Sequence, residues 1–166
     1  CVEKVQILPD GSIPEVEMTS LGFEEALSPY ENTPAELACV LKGGCMIVER
    51  NPFMRPISAI TNQCVMGYKY FDFGKDDSAT SMKFCASIRG CGSKAQIRIV
   101  LDDPEKGEEI GILEIGTADG VYIVHTAPVV GRHAIYFIVE ATYGGWFVDS
   151  FKGRQLFEFE SFQFMK

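Results

Sequence analysis

Ser81-Met82-Lys83-Phe84-Cys85-Ala86-Ser87-Ile88-Arg89 is the stretch that decides the fold. Met82, Phe84, Ala86 and Ile88 share one side of an extended chain, while Ser81, Lys83, Ser87 and Arg89 share the other. That is the period of a half-buried strand, whose successive side chains point to opposite faces. The period-two pattern dominates from about residue 65 onward. Ile97, Ile99 and Leu101 alternate with Gln96, Arg98 and Val100, and further β-rich runs follow at Ile110–Ile115, Val121–Thr126, Ala134–Val139 and Leu156–Phe164. Turn signals separate them: Gly90-Cys91-Gly92, Asp102-Asp103-Pro104, Ala118-Asp119-Gly120 and Gly131-Arg132. A turn every ~8–12 residues is the rhythm of strands that cross a sheet and return. The expected fold is all-β, an antiparallel β-sandwich of the jelly-roll kind.

Upstream the pattern is less regular. Leu8-Pro9-Asp10-Gly11-Ser12 reads as a turn, followed by the strand-like Ile13–Met18. The stretch from 20 to about 55, punctuated by Pro29, Pro34 and Pro52 with Pro56 just beyond, reads as long loops around a strand at Cys45–Glu49. Pro34–Leu41 is the one helix-compatible segment. No internal repeat or low-complexity segment is present.

With 166 residues, of which 46% are hydrophobic and 23% charged, the chain has the composition of one ordinary globular domain. A domain of this size buries about 70% of its unfolded surface, so folding needs no metal or disulfide. Fifteen basic against 23 acidic residues leave a net charge of −8. That balance argues against nucleic acid and anionic membranes, which require clustered Lys and Arg, and suits a neutral partner or a bound cation. No apolar run approaches the ~20 residues of a membrane span. The first residue is Cys1 and not Met, so a mature or excised piece of a larger protein is expected.

Six cysteines stand at positions 1, 39, 45, 64, 85 and 91, with no C-x-x-C pair, and His125 and His133 are the only histidines. Most of these cysteines read as small buried hydrophobes. Pairing of Cys39 with Cys45, or of Cys85 with Cys91, stays open if the protein is exported. Gly90-Cys91-Gly92-Ser93-Lys94 lacks the spacer of a phosphate loop and joins two strands, so a hairpin is expected there. No nucleophile elbow occurs, and the pattern offers no deep cleft for a paired-carboxylate hydrolase. A stand-alone enzyme is not expected.

Five segments, taken together, carry a family pattern. They are Tyr68-Lys69-Tyr70-Phe71-Asp72-Phe73-Gly74; Ile97–Pro104 with Gly107; Ile110–Ile115; Gly131–Phe137; and Leu156–Phe164. In this order and spacing, over residues 56–164, the chain resembles family 6 carbohydrate-binding modules. Pro9-Asp10-Gly11-Ser12-Ile13-Pro14-Glu15-Val16-Glu17-Met18-Thr19-Ser20 resembles the junction between a family 43 glycoside hydrolase and such a module. The resemblance implies a linker and first strand over 1–20 and a sandwich module over 21–166. It also implies a structural calcium held by Glu15 and Glu17 of the first strand and Glu160 of the last, a hard cation among carboxylates.

The family's sugar cleft stacks a sugar on aromatics and reads its hydroxyls with a polar side chain. By resemblance Tyr122 supplies one aromatic, Ala59 stands at the other aromatic position, and Glu158 occupies the place of an asparagine. An insertion at Ala141–Gln155 carries Tyr143-Gly144-Gly145-Trp146, whose glycines would let Trp146 project as a platform, unless Trp146 and Phe147 simply close the sandwich. His125 is a further contact candidate, and His133 reads as a structural strand-edge residue. The implied function is a non-catalytic module binding a plant cell-wall β-glycan such as xylan or arabinoxylan, covalently linked to a glycoside hydrolase. An exported or cell-surface setting goes with it. The alternative is an accessory domain that buttresses the catalytic domain without binding sugar, with Gly22–Pro56 packing on the neighbour.

Overall fold

The alternation at 81–89 becomes strand β6, and its neighbours build two antiparallel sheets face to face. The structure is a computed structural model describing residues 2–76, 78–142 and 153–166. In chain order come β1 (Thr33–Pro34), a 3-10 turn (Ala35–Leu37), β2 (Val40–Lys42), β3 (Met46–Ile47), β4 (Ile57–Ile60) and β5 (Val65–Asp72). They are followed by β6 (Met82–Gly90), β7 (Ala95–Leu101), β8 (Glu109–Ile115), β9 (Gly120–Thr126), β10 (Arg132–Ala141) and β11 (Phe157–Met165). One sheet runs β3-β4-β11-β6-β9 with β1 also against β11; the other runs β2-β5-β10-β7-β8. This is the expected sandwich.

The core is an aromatic seam between the sheets. Phe162 of β11 lies 4.8 Å from Tyr68, 4.9 Å from Phe137, 5.8 Å from Phe71 and 5.9 Å from Phe84, ring centre to ring centre. Most of these contacts are edge-on or tilted, as ring quadrupoles favour. The spacing of phenylalanines in β11 shows how the seam is kept continuous. Phe157 and Phe159 are odd-numbered, Phe162 and Phe164 even, yet all four are buried. The register against β6 slips between Phe159↔Ile88 and Ser161↔Ser87, leaving Glu160 as the extra residue of a bulge. One inserted residue reverses the parity and returns the second pair of rings to the core.

Several upstream expectations are corrected. Ile13–Met18 is not a strand: Pro14 lacks a backbone donor, and Ile13 and Met18 are exposed, so no face is buried. Of Pro34–Leu41 only Ala35–Leu37 is helical, because Val40 and Leu41 pair with Gly67 and Met66 of β5. The strand expected at Cys45–Glu49 shrinks to Met46–Ile47. The Gly90–Lys94 segment is no hairpin, since it joins β6 of one sheet to β7 of the other. A Cβ on Gly90 would stand 2.4 Å from the Thr117 carbonyl, so this corner needs glycine.

Phe162 has the most ring neighbours in the seam, and Phe162→Ala is expected to cost about 3–5 kcal/mol. That corresponds to a fall in Tm of roughly 10 °C by calorimetry. A change under 2 °C would show that the seam does not hold the sheets together.

Candidate functional site

Both inner faces are filled by apolar side chains, so polar side chains collect on the outer faces, and the expected Glu158 and His125 lie on that of the six-stranded sheet. Directly opposed residues of antiparallel strands share a face. Arg89 opposes Glu158, Cys85 opposes Gln163, and Lys83 opposes His125, so these all look outward. Tyr122 opposes the buried Ala86 and looks inward. Its half-buried ring packs against the core and its hydroxyl donates to the Ala118 carbonyl at 2.7 Å. Tyr122 and Glu158 therefore lie on opposite faces of the sheet, and the structure does not join them into one cleft. His125 is exposed on the edge strand β9. Ala59 holds a left-handed φ of 54°, which a bulkier residue would adopt less readily. Tyr143 and Trp146 lie outside the described residues.

Glu158 is only 2% exposed. Its Oε1 accepts from the Arg50 guanidinium, from Ser58 Oγ at 2.9 Å and from Gln155 Nε2 at 3.5 Å. Oε2 accepts no hydrogen bond from the described residues, with Arg89 Nε 4.0 Å away. Burial is the largest influence on this carboxyl and pushes its pKa up, but Arg50, Ser58 and Gln155 together outweigh burial and hold it below the ordinary value. Glu158 is thus an anchor for the segment between β3 and β4 more than an open hydroxyl reader.

That segment supplies what the sequence reading missed. Val48 N donates to Pro56 O at 3.0 Å and Arg50 N to Met54 O at 3.0 Å, folding 48–56 back on itself. The Asn51 side chain accepts from Phe53 N at 2.9 Å, closing a tight turn. Phe53 stands at its tip, 99% exposed. Between this turn and the sheet is a hollow of about 250 Å³ whose polar lining is Asn32, Glu36, Arg55, Glu160 and Ser161. A second hollow of about 170 Å³ shares Asn32 and Ser161 and continues over Ser87 and Gln163. A flat apolar ring beside amide, hydroxyl and carboxylate groups has the chemistry to hold a neutral polyol with one nonpolar face. Asn51-Pro52, a turn dipeptide, was the available signal for Phe53.

The structure does not bring the expected calcium ligands Glu15, Glu17 and Glu160 together. Glu17 binds β5: its carboxylate accepts from Lys69 Nζ at 2.8 Å and from Tyr70 Oη at 2.9 Å, and these two donors, Lys69 first, hold its pKa low. Glu160 sits on the other sheet and accepts from Ser87 Oγ at 2.8 Å. Glu15 is exposed. Among the described residues no three Asp, Glu, His or Cys side chains converge as metal ligands. The short strand added to β11 besides β4 and β6 is β1, at Thr33↔Phe162 and Pro34↔Ser161, whereas Glu17 is held at Lys69 and Tyr70 of β5 in the opposite sheet. The acid that shares a hollow with Glu160 is Glu36, and the cation there is Arg55, 3.5 Å from Glu36 and 3.5 Å from Glu49. His133 is structural, its Nδ1 2.8 Å from Asp102 and its Nε2 2.9 Å from the Val130 carbonyl.

No protein-family model matches the chain. A xylosidase/arabinosidase of Thermoclostridium stercorarium is 55% identical over 42 residues, which is 25% of this chain and 9% of that enzyme's length. A family 6 carbohydrate-binding module from Clostridium cellulolyticum, solved with xylose, superposes with a TM-score of 0.68 at 20% identity, over 84% of this chain and all of that one. A family 43 arabinoxylan arabinofuranohydrolase from Bacillus subtilis, solved with cellotetraose, superposes with a TM-score of 0.69 at 22% identity, over 98% of this chain and 33% of its own. The fold is that of family 6 carbohydrate-binding modules.

Two outcomes follow from the charges. Because Glu17 is already held by Lys69 and Tyr70 on one sheet and Glu160 by Ser87 on the other, adding a calcium chelator is expected to leave Tm within about 1 °C, whereas a structural calcium on Glu15, Glu17 and Glu160 would stabilise by mass action and its removal would lower Tm. Glu158 has a folded pKa below the ordinary 4.5, so its stabilisation is present above that value and lost as pH falls through the folded one. The Tm gap between wild type and Glu158→Gln should be widest near neutrality and close in acid. A gap that ignores pH would contradict the Arg50–Glu158 anchor.

Proposed function

We propose that this chain is a non-catalytic carbohydrate-binding module for a plant cell-wall β-glycan such as xylan or arabinoxylan, borne by a glycoside hydrolase. The observation that carries this reading is the fully exposed Phe53 ring at the rim of a hollow lined by Asn32, Glu36, Arg55, Glu160 and Ser161. A pyranose offers an apolar face to such a ring and hydroxyls to the amide and carboxylates. The fold shared with xylose- and cellotetraose-bound proteins supports the same class of ligand. Binding the polymer raises the local concentration of substrate for a tethered enzyme. Its setting would be outside the cell or at the cell surface, where the polymer is. No helix among the described residues is long and apolar enough to cross a membrane.

A second role, buttressing a catalytic domain without binding sugar, draws on the N-terminal arm. Val2, Val5, Ile7, Ile13, Met18 and Phe23 are all exposed there. Yet the arm is tied down, with Thr19 donating to Glu3 at 2.6 and 2.8 Å. A held, apolar surface of this kind suits a neighbouring domain.

Isothermal titration with xylo- and gluco-oligosaccharides separates the two. Binding is expected, and Phe53→Ala should weaken it about tenfold, the equivalent of roughly 1.4 kcal/mol. Being wholly exposed, that ring should leave Tm unchanged when removed. Silence across the panel would favour buttressing. Binding that survives Phe53→Ala but not Tyr122→Ala would move the site to the other face.

A further inference from the structure

We infer that Cys45 and Cys64 form a native disulfide under oxidising conditions. The two chain-adjacent pairings are ruled out by geometry. Cys85 precedes the end of β6 at Gly90 by five positions of extended chain, about 16 Å before Cys91 is reached, whereas a disulfide spans at most about 7 Å between Cα atoms. Cys39 contacts the Gly67 carbonyl through its Sγ at 3.5 Å, and the three residues of β2, about 10 Å, separate it from the turn that carries Cys45.

Cys45 and Cys64 instead meet at one corner. The register places Lys42 of β2 opposite Val65 of β5, and the chain then turns back over Cys64. Cys45 Sγ lies 3.3 Å from the Lys42 carbonyl and 3.9 Å from that of Val65, the residue next to Cys64. Cys64 Sγ lies 3.3 Å from the neighbouring Gly43 carbonyl. Gly43 has φ +84°, and a Cβ there would stand 2.9 Å from Cys64 Cα, so only glycine lets the turn close this tightly over the thiol. Both thiols are buried, and burial, with the Cys64 sulfur as the next influence, pushes the Cys45 thiol up to about 12. A folded, reduced pair would therefore react slowly, so the bond forms while the chain folds. The step consumes a small disulfide such as oxidised glutathione. One cysteine thiolate attacks it and releases one thiolate; the second cysteine displaces the other. The two cysteine protons pass to the two glutathione thiolates, and the pair loses two electrons to them. The bond would staple the β2–β3 turn to the β4–β5 turn.

The test is to refold the chain from denaturant in a glutathione redox buffer, alkylate free thiols, and map tryptic peptides by mass. The expected result is one linkage, Cys45 to Cys64, with the protein lighter by two hydrogens and Tm raised by about 5–10 °C over the reduced form. Cys39→Ala should leave the linkage in place. A linkage of Cys45 or Cys64 to any other cysteine, or both thiols alkylated, would overturn the assignment.

Discussion

The packing of Phe162 between the two sheets is the constraint from which the rest follows. That ring meets partners from β5, β6 and β10 at once, so both inner faces must stay apolar and close-packed. Little space remains between the sheets for a ligand, because interiors of this density tolerate few voids. Chemistry is confined to the outer faces, the corners and the connecting segments. The bulge at Glu160 serves both needs. It turns Phe162 and Phe164 inward, and it sets Glu160 on the side where Asn32, Arg55 and Ser161 gather.

The polar outer face has its own internal logic. Glu158 is buried and holds the 48–56 segment through Arg50. With its base fixed in this way, the Asn51–Met54 turn presents Phe53 without collapsing onto the sheet. The exposed ring is thus positioned through a carboxylate that is itself buried. A site assembled on strands and a braced turn is better ordered than one on a long loop.

Much of the architecture was legible because period-two alternation reports directly on which side of a strand meets the core. Met82, Phe84, Ala86 and Ile88 are all buried as that alternation requires. Positions decided by pairing partners were not legible. Nothing in Ile13–Met18 declares that it lacks a neighbouring strand, or that the short Thr33–Pro34 takes the place beside β11. The face of Tyr122 was likewise hidden, since Val121, Tyr122 and Ile123 are all apolar and only the register with Ala86 turns the ring inward. Phe53 sits in a stretch of prolines and charges without periodicity. Its exposure depends on how Asn51 closes the turn and on how Glu158 anchors it.

The proposed function places a saccharide across the outer face of the six-stranded sheet, against Phe53. Titrating ¹⁵N-labelled protein with a xylo-oligosaccharide and following amide shifts tests it most directly. The largest movements are expected at Asn32, Phe53, Met54, Arg55 and Ser161. Movements confined to Ala118, Tyr122 and the far end of the sandwich, with Phe53 and Ser161 still, would contradict it.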